Sequence, residues 1–265
     1  MAKRSISKIG IIIPTPSLTN ENITTCLESL EETTAHLDVE INPVVDSGES
    51  FRFSKSVNRG LEELSGCDAW ALVNDDCVFQ PGWLDELVET AKENIRAGLI
   101  GAIVETPEGE IEHAGGYLTT STIDGMKNSI KQGNYFRAIR MPFRNIIFRG
   151  SESKIEPFHY LELDRSNRLY YLTGSCLLIT KDLFEAIGLW DEEFIFTWED
   201  TDYGLRCLEA GFELALSTNS KVSHRCRATG MRWSRKIWES GRVFREKWPR
   251  SKIREVVGGR LGIYH

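Results

Sequence analysis

Short apolar runs alternate along this chain with stretches in which apolar side chains recur every three or four positions. Ile9 to Ile13 is a continuous apolar run ending at Pro14-Thr15-Pro16, the signature of a buried strand and its stop. Ile23, Cys26, Leu27 and Leu30 then fall at i, i+3, i+4 and i+7, one face of a helix. The unit repeats. Val39 to Val45 is strand-like and ends at Asp46-Ser47-Gly48, Phe53 to Leu64 carries a short helical pattern closed by Gly66, and Ala69 to Val73 is again a strand. Pro81-Gly82-Trp83-Leu84 opens a helix with Trp83, Leu84, Leu87, Val88, Ala91 and Ile95 on one face, and Leu99 to Val104 returns as a strand. Strands alternating with helices predict a mostly parallel central sheet covered on both faces, with ligands at the carboxyl ends of its strands. The loops after Ile13, Val45 and Val73 are therefore expected to line one crevice.

Beyond residue 105 the rhythm changes. Glu105 to Gly116 reads as a hairpin, and Tyr117 to Leu169 has little periodicity and many Lys, Arg, Asn and Ser, as expected of a long functional loop or a flexible insertion. Tyr170 to Thr180 reads as one strand, followed by a short helix from Lys181 to Gly188, a helix from Glu199 to Ala210, and strands at 213–216 and 221–224. Met231 to Trp248 spaces Trp233, Ile237, Val243, Phe244 and Trp248 among basic residues in the manner of an amphipathic helix. With no internal repeat or linker, one domain is expected over 1–265: a first half at about 9–105, a second half at 106–230, and a basic helical tail at 231–265.

Composition narrows the class. A chain of 265 residues at 41% apolar and 27% charged buries a substantial core, which excludes disordered and fibrous proteins. Its apolar runs are too short to span a bilayer and Met1-Ala2-Lys3-Arg4 opens no cleavable signal pattern, so a cytoplasmic location is expected. The six cysteines are scattered without C-x-x-C spacing, so buried thiols are expected rather than disulfides or zinc ligands. The net charge of −7 argues against a nucleic-acid partner, but it hides an asymmetry. From Arg225 to His265 twelve Lys and Arg oppose three acids, and Lys127 to Lys154 is a second basic stretch. These segments either meet an anionic partner, such as phosphate or lipid headgroups, or form solvated faces.

Three clusters could carry chemistry. Asp75 and Asp76 follow an apolar strand and emerge at its carboxyl end; either they cap the next turn or a hard divalent ion offsets their repulsion. Glu199, Asp200 and Asp202 open a helix, where the dipole favours acids; Glu199 and Asp202 share a face and Asp200 points elsewhere, so one of them could serve as a base. His224 ends a strand and is either structural or a ligand.

In order and spacing, Ile-Ile-Ile-Pro-Thr (11–15), Val-Val-Asp-Ser-Gly-Glu-Ser (44–50), Ser-Val-Asn-Arg-Gly (56–60), Val-Asn-Asp-Asp (73–76), Pro-Gly-Trp-Leu (81–84), Thr-Gly-Ser-Cys-Leu-Leu-Ile (173–179), Gly-Leu-Trp-Asp-Glu-Glu-Phe (188–194), Trp-Glu-Asp-Thr-Asp-Tyr-Gly-Leu-Arg (198–206) and Val-Ser-His (222–224) form one set. This set resembles the family 2 glycosyltransferases, most closely their rhamnosyltransferase-like members. The resemblance implies a GT-A fold and inverting transfer of a sugar from a nucleoside-diphosphate sugar, UDP- or dTDP-linked, with a divalent metal, Mn²⁺ or Mg²⁺. The acceptor would be a saccharide or lipid-linked saccharide. Carried over, it places Pro14 and Thr15 beside the nucleotide, Asp46 on the base with Asn58 near it, Asp75 on the ribose or sugar side, and Asp76 and His224 on the metal and diphosphate. Gly174 and Ser175 would lie beside the donor sugar, Asp200 would be the catalytic base oriented by Glu199, and Trp198 would face the acceptor. Ser47-Gly48-Glu49-Ser50 and Pro16-Ser17 depart from the residues usual at those loops.

Rival classes lack their signatures. Pro14-Thr15-Pro16-Ser17 is neither the Gly-rich, Lys/Arg-bearing loop of a nucleotidyltransferase nor the G-x-G-x-x-G of a dinucleotide enzyme. The remaining alternative is a non-catalytic nucleotide- or carbohydrate-binding module that keeps the fold. Segment 127–154 is expected to close over the site as a lid. The tail is expected either to pack on the catalytic domain or to touch a membrane surface through its Trp and basic residues.

Overall fold

A computed structural model of the protein describes residues 4–48, 51–118, 168–195, 197–225 and 235–258. Its centre is a mixed sheet in the order β2-β1-β3-β9-β5-β10-β4, with β6 added on β5. The strands are β1 (Lys8–Thr15), β2 (Asp38–Val45), β3 (Ala69–Val73), β4 (Cys77–Phe79), β5 (Ala97–Glu105), β6 (Ile111–His113), β9 (Cys176–Thr180) and β10 (Glu213–His224). A separate two-stranded ribbon pairs β7 (Gly116–Leu118) with β8 (Arg168–Tyr171).

The alternation of side chains along each strand sorts the core into two layers. Ile9, Ile11 and Ile13 of β1, Ala69, Ala71 and Val73 of β3, and Ile100, Ala102 and Val104 of β5 face α1 (Glu21–Thr34) and α3 (Trp83–Glu93). Ile12, Leu72, Leu99, Leu177 and Ile179 face the other way, onto α2 (Phe53–Glu63), α4 (Lys181–Ile187) and α5 (Glu199–Glu209). Asn20 caps α1 by accepting from the Ile23 amide at 2.9 Å, and its apolar stripe Ile23, Cys26 and Leu30 is buried, as the spacing predicts. On the opposite face α2 lies so close to β1 that a Cβ at Gly60 would come within 2.5 Å of Ile12 Cγ2, which only glycine permits.

Four expectations change. The expected parallel pairing holds for β2-β1-β3 and β5-β10, but β9 runs antiparallel to both β3 and β5, and β4 antiparallel to β10. The run 170–180 is not one strand: it breaks at Leu172-Thr173-Gly174-Ser175 between β8 and β9, because the two segments pair with different sheets. The strands at 213–216 and 221–224 are one, β10, with its register against β5 shifting between Ser217 and Lys221. Ile95 lies past the end of α3 and is exposed.

The tail folds as two helices, α6 (Arg235–Lys247) and α7 (Arg250–Gly258), separated at Trp248-Pro249 where proline cannot continue the hydrogen-bond ladder. Phe244, Trp248 and Val256 are buried with Phe194, Leu205 and Leu208 in a third cluster against α5. The Trp248 indole donates to Asp202 at 2.7 Å, and the Lys247 ammonium bridges Asp202 (2.9 Å) and Asp191 (2.6 Å). These contacts are those of a helix packed on the body of the protein. No helix among the described residues is long and apolar enough to cross a membrane. Segment 127–154, Trp233 and Cys226 lie outside the described residues; the other five cysteines are free and buried, as expected.

Trp248→Ala removes a buried indole, its bond to Asp202 and its packing in the third cluster. Unfolding in urea is expected to show a loss of about 3–5 kcal/mol, the range for truncating a buried aromatic residue.

Candidate active site

The parallel strands β1, β2 and β3 end on one edge, which brings their following loops together as the sequence pattern requires. The Asp46 amide donates to the Thr15 carbonyl at 3.0 Å, and the Thr15 hydroxyl donates to Asp75 Oδ2 at 2.7 Å. Pro14 and Thr15 are both buried, so Thr15 serves the site as a support for Asp75. Burial raises the Asp75 carboxyl above its ordinary value; the Thr15 hydrogen bond opposes this and the neighbouring Asp76 charge adds to it. Asp46 is half-buried and accepts from the Ser56 hydroxyl at 3.3 Å. Asn58 lies elsewhere. Its amide nitrogen donates to the Trp190 carbonyl and to Glu192 Oε1, both at 2.9 Å, and its oxygen accepts from the Trp190 amide at 2.8 Å. With the residue 4% exposed, those bonds occupy the side-chain amide, and Asn58 clamps the 190–192 segment.

At the end of β3 the chain turns through Asn74, Asp75 and Asp76 into β4, which pairs His224 of β10 with Cys77. Asp76 Oδ1 consequently lies 3.0 Å from His224 Nε2. Ligand atoms of Asp76, Cys77 and His224 all fall within 4.8 Å of one another. The Cys77 thiol points to the Ser175 carbonyl at 3.4 Å and is pushed well up by burial, leaving one carboxylate and one imidazole as the donors. That pair fits Mn²⁺ or Mg²⁺, which share their remaining positions with water and phosphate oxygens. The Asn74 amide nitrogen approaches both Ser175 Oγ (3.4 Å) and His224 Nε2 (3.3 Å).

The turn before β9 ties this corner to the acids of α5. Ser175 accepts from the Asn74 amide at 3.0 Å through its carbonyl, while the Gly174 amide donates to Asp200 Oδ2 at 3.3 Å. A side chain at Gly174 would press on the Phe53 ring at 3.3 Å and approach Asp200 Cβ at 3.9 Å. Asp200 Oδ1 accepts from the Thr201 amide at 2.7 Å, and the Tyr171 hydroxyl also bonds to Asp200. Burial nevertheless raises the Asp200 carboxyl, against the opposing hydrogen bonds from Gly174, Thr201 and Tyr171. Glu199 is raised too, by burial first and by the Asp200 charge second, and its Oε2 is buried with no hydrogen-bond partner among the described residues. Asp202 belongs to a different structure: 1% exposed, it anchors Lys247 and Trp248.

Thr197 and Trp198, just before these acids, have φ of 68° and 75°, a left-handed conformation that is strained for any residue other than glycine and most of all for a β-branched one. The strain is held from α6: the Ile195 amide donates to Ser240 Oγ at 3.0 Å, and the Trp198 ring stacks on Phe244 at 4.6 Å. Trp198, expected to face an acceptor, is thus half-buried and braced against the tail helix.

Sequence reading missed Tyr171, His113 and Glu112, and gave Asn74 a place in a motif but no contact. Tyr171 was hidden inside a run read as plain strand. Glu112 Oε2 lies 2.9 Å from His224 Nδ1, a contact between hairpin and strand that no spacing rule reports. His113 sits edge-on to Tyr171 with ring centroids 5.0 Å apart, and burial lowers its pKa to about 4, so the ring is neutral.

The mixed sheet, with an acidic turn and a histidine meeting at one corner and a carboxylate pair beside them, defines the GT-A fold of glycosyltransferases. Solved structures agree. GalNAc-T7 with UDP, GalNAc and Mn²⁺ superposes with a TM-score of 0.61 at 12% identity, over 93% of this chain and 49% of that one. The catalytic domain of Drosophila beta1,4galactosyltransferase 7 complexed with xylobiose gives 0.52 at 14%, over 89% and 80%. The family model "Glycosyltransferase like family 2" matches residues 15–237, and the chain belongs to that family. It is 26% identical over 203 residues to the N-acetylglucosaminyl-diphospho-decaprenol L-rhamnosyltransferase of Mycobacterium tuberculosis, covering 71% of this chain and 60% of that protein. It is 27% identical over 175 residues to the O-antigen biosynthesis protein RfbC of Myxococcus xanthus, covering 66% of this chain and 12% of that protein. The chain therefore spans about 60% of the length of the rhamnosyltransferase it matches.

Two measurements test this geometry. Asn58→Ala strands the Trp190 amide and carbonyl and is expected to lower unfolding stability by about 1–3 kcal/mol while leaving nucleotide affinity close to wild type. Glu199 holds its proton more tightly folded than unfolded, so its contribution is complete below the ordinary glutamate range near pH 4–5 and is lost as pH rises toward the raised folded value. Glu199→Gln carries no such proton, so its stability relative to wild type is expected to improve steadily as denaturation is repeated from pH 5 to 8.

Proposed function

We propose that this protein is an inverting glycosyltransferase that moves a sugar from a UDP- or dTDP-linked donor to an acceptor hydroxyl in polysaccharide or glycoconjugate synthesis. The observation that carries the reading is the Thr173-Gly174-Ser175 turn, which holds the half-buried Asp200 carboxylate on one side and, through Asn74, the Asp76–His224 pair on the other. Inverting displacement needs such a pair of poles: a base where the acceptor hydroxyl attacks, and positive charge where the nucleoside diphosphate leaves.

Asp200 is the base in this reading. Of the two adjacent carboxyls, Glu199 keeps a proton because burial and the Asp200 charge raise it and, among the described residues, no donor reaches Oε2, while Asp200, with hydrogen bonds from Gly174, Thr201 and Tyr171, is the one that ionises. Its raised pKa makes it a stronger proton acceptor than a solvated aspartate. Asp76 and His224 would hold Mn²⁺ or Mg²⁺, which when bound supplies the charge that stabilises the departing diphosphate. Asp75, fixed by Thr15, would orient the ribose or sugar, Asp46 would contact the base, and Gly174 and Ser175 would leave room for the donor sugar. Trp198 would border the acceptor by the edge of its ring not stacked on Phe244.

The name of the mycobacterial relative supports rhamnose as the sugar and a polyprenyl-diphosphate saccharide as the acceptor. A cytoplasmic enzyme working peripherally at the inner membrane face fits that acceptor. One domain over 1–265, with its halves at about 9–105 and 106–230 and the tail at 231–265, is the organisation proposed.

Calorimetric titration with UDP, dTDP and GDP, each with and without Mn²⁺, tests the donor site. Binding of UDP or dTDP is expected to require Mn²⁺ and to be lost in Asp76→Ala; no nucleotide binding under any condition would defeat the proposal. Asp200→Asn is expected to bind the same nucleotide with near wild-type affinity while losing about 10²–10⁴-fold in turnover. Retained turnover would remove Asp200 as the base, and absent turnover in wild type with every donor would favour a binding module.

A further inference from the structure

The β5-β6 hairpin contains an irregularity with a defined outcome. Glu105 pairs with Ile111 and Val104 pairs with His113, so Glu112 is the extra residue of a β-bulge in this ladder. Bulges bend a strand and redirect the side chain at the extra position. Here β10 lies along β5, pairing Ser223 with Glu105, so the next residue of β10, His224, passes the end of β5 where the bulge sits. Glu112 reaches it: Oε2 lies 2.9 Å from His224 Nδ1, with Glu112 28% exposed and His224 9%.

We infer that Glu112 is a positioning residue for the proposed metal site, accepting the Nδ1–H of His224 and so turning the Nε2 lone pair toward Asp76. This inference rests on the glycosyltransferase reading above. A carboxylate that accepts from Nδ1 favours the tautomer with the proton there, and in that neutral ring Nε2 carries the lone pair. The Asn74 amide nitrogen, a donor, approaches Nε2 at 3.3 Å, which requires a lone pair on Nε2 and agrees independently. In that tautomer Asp76 Oδ1, 3.0 Å from the same nitrogen, faces a lone pair, so the two atoms are placed to share a proton or a metal cation between them. Carboxylates that orient a ligating imidazole in this way raise its basicity and typically contribute 10- to 100-fold to metal affinity.

The test compares wild type, Glu112→Gln, Glu112→Ala and His224→Ala. In each, the Mn²⁺ concentration giving half-maximal binding of UDP or dTDP is measured by calorimetry, and the ring ¹⁵N shifts of His224 are recorded without metal. Glu112→Ala is expected to raise the half-maximal Mn²⁺ concentration about 10- to 100-fold and to move the His224 ring away from the Nδ1–H tautomer. Glu112→Gln, whose carbonyl still accepts from Nδ1, is expected to fall between it and wild type. If His224→Ala impairs Mn²⁺ binding while Glu112→Ala behaves as wild type, the positioning role is overturned and the metal site stands. If wild type shows no Mn²⁺-dependent binding, the metal reading falls and this inference with it.

Discussion

The antiparallel entry of β9 between β3 and β5 is the constraint on which the site depends. Had β9 run parallel to its neighbours, its first residues would lie at the far edge of the sheet. Running antiparallel, with Cys176 opposite Val73, it delivers Thr173-Gly174-Ser175 to the carboxyl end of β3, where Asp75 and Asp76 emerge. The Asn74 amide then bonds to the Ser175 carbonyl, and Asp200 bonds to the Gly174 amide. One three-residue turn thus sets the position of carboxylates that arise about 125 residues apart in the chain.

Around that turn, carboxyls are held in a partly dry corner at different degrees of compensation. Asp200 is matched by several donors and Asp75 by the Thr15 hydroxyl, whereas among the described residues no donor reaches one oxygen of Glu199. Uneven compensation separates the proton affinities of chemically similar groups, which is how one fold obtains both a protonated and an ionised carboxyl at neutral pH. The left-handed Thr197 and Trp198 belong to the same economy of strain. They persist because α6 braces the segment from outside, through Ser240, Phe244, Lys247 and Trp248. The tail helix therefore serves the site as structure, whatever its basic face meets.

Much of this architecture could be read from the chain itself, and for local reasons. The runs at Ile9–Ile13 and Ala69–Val73 and the 3.6-residue spacing of Ile23, Cys26 and Leu30 follow from burial on one or two faces, which neighbouring residues express without help from distant ones. The acidic pairs Asp75-Asp76 and Glu199-Asp200 were legible because adjacent carboxyls after an apolar strand or at a helix start need a reason, and His224 because it closes a strand. Asp202 was legible as an acid but not in its use, since the partner that claims it, Trp248, lies 46 residues on.

What the sequence determined is the set of elements, the two-faced sheet and the family-defining order of its motifs, because periodicity and motif spacing are properties of contiguous residues. Only the tertiary structure decided the antiparallel insertion of β9, the break of 170–180 into two strands, the clamping of the 190–192 segment by Asn58, and the meeting of Glu112 with His224. Each of these depends on which segment pairs with which across the sheet. Pairing between distant segments is chosen by the packing of the whole core, and no local pattern encodes it.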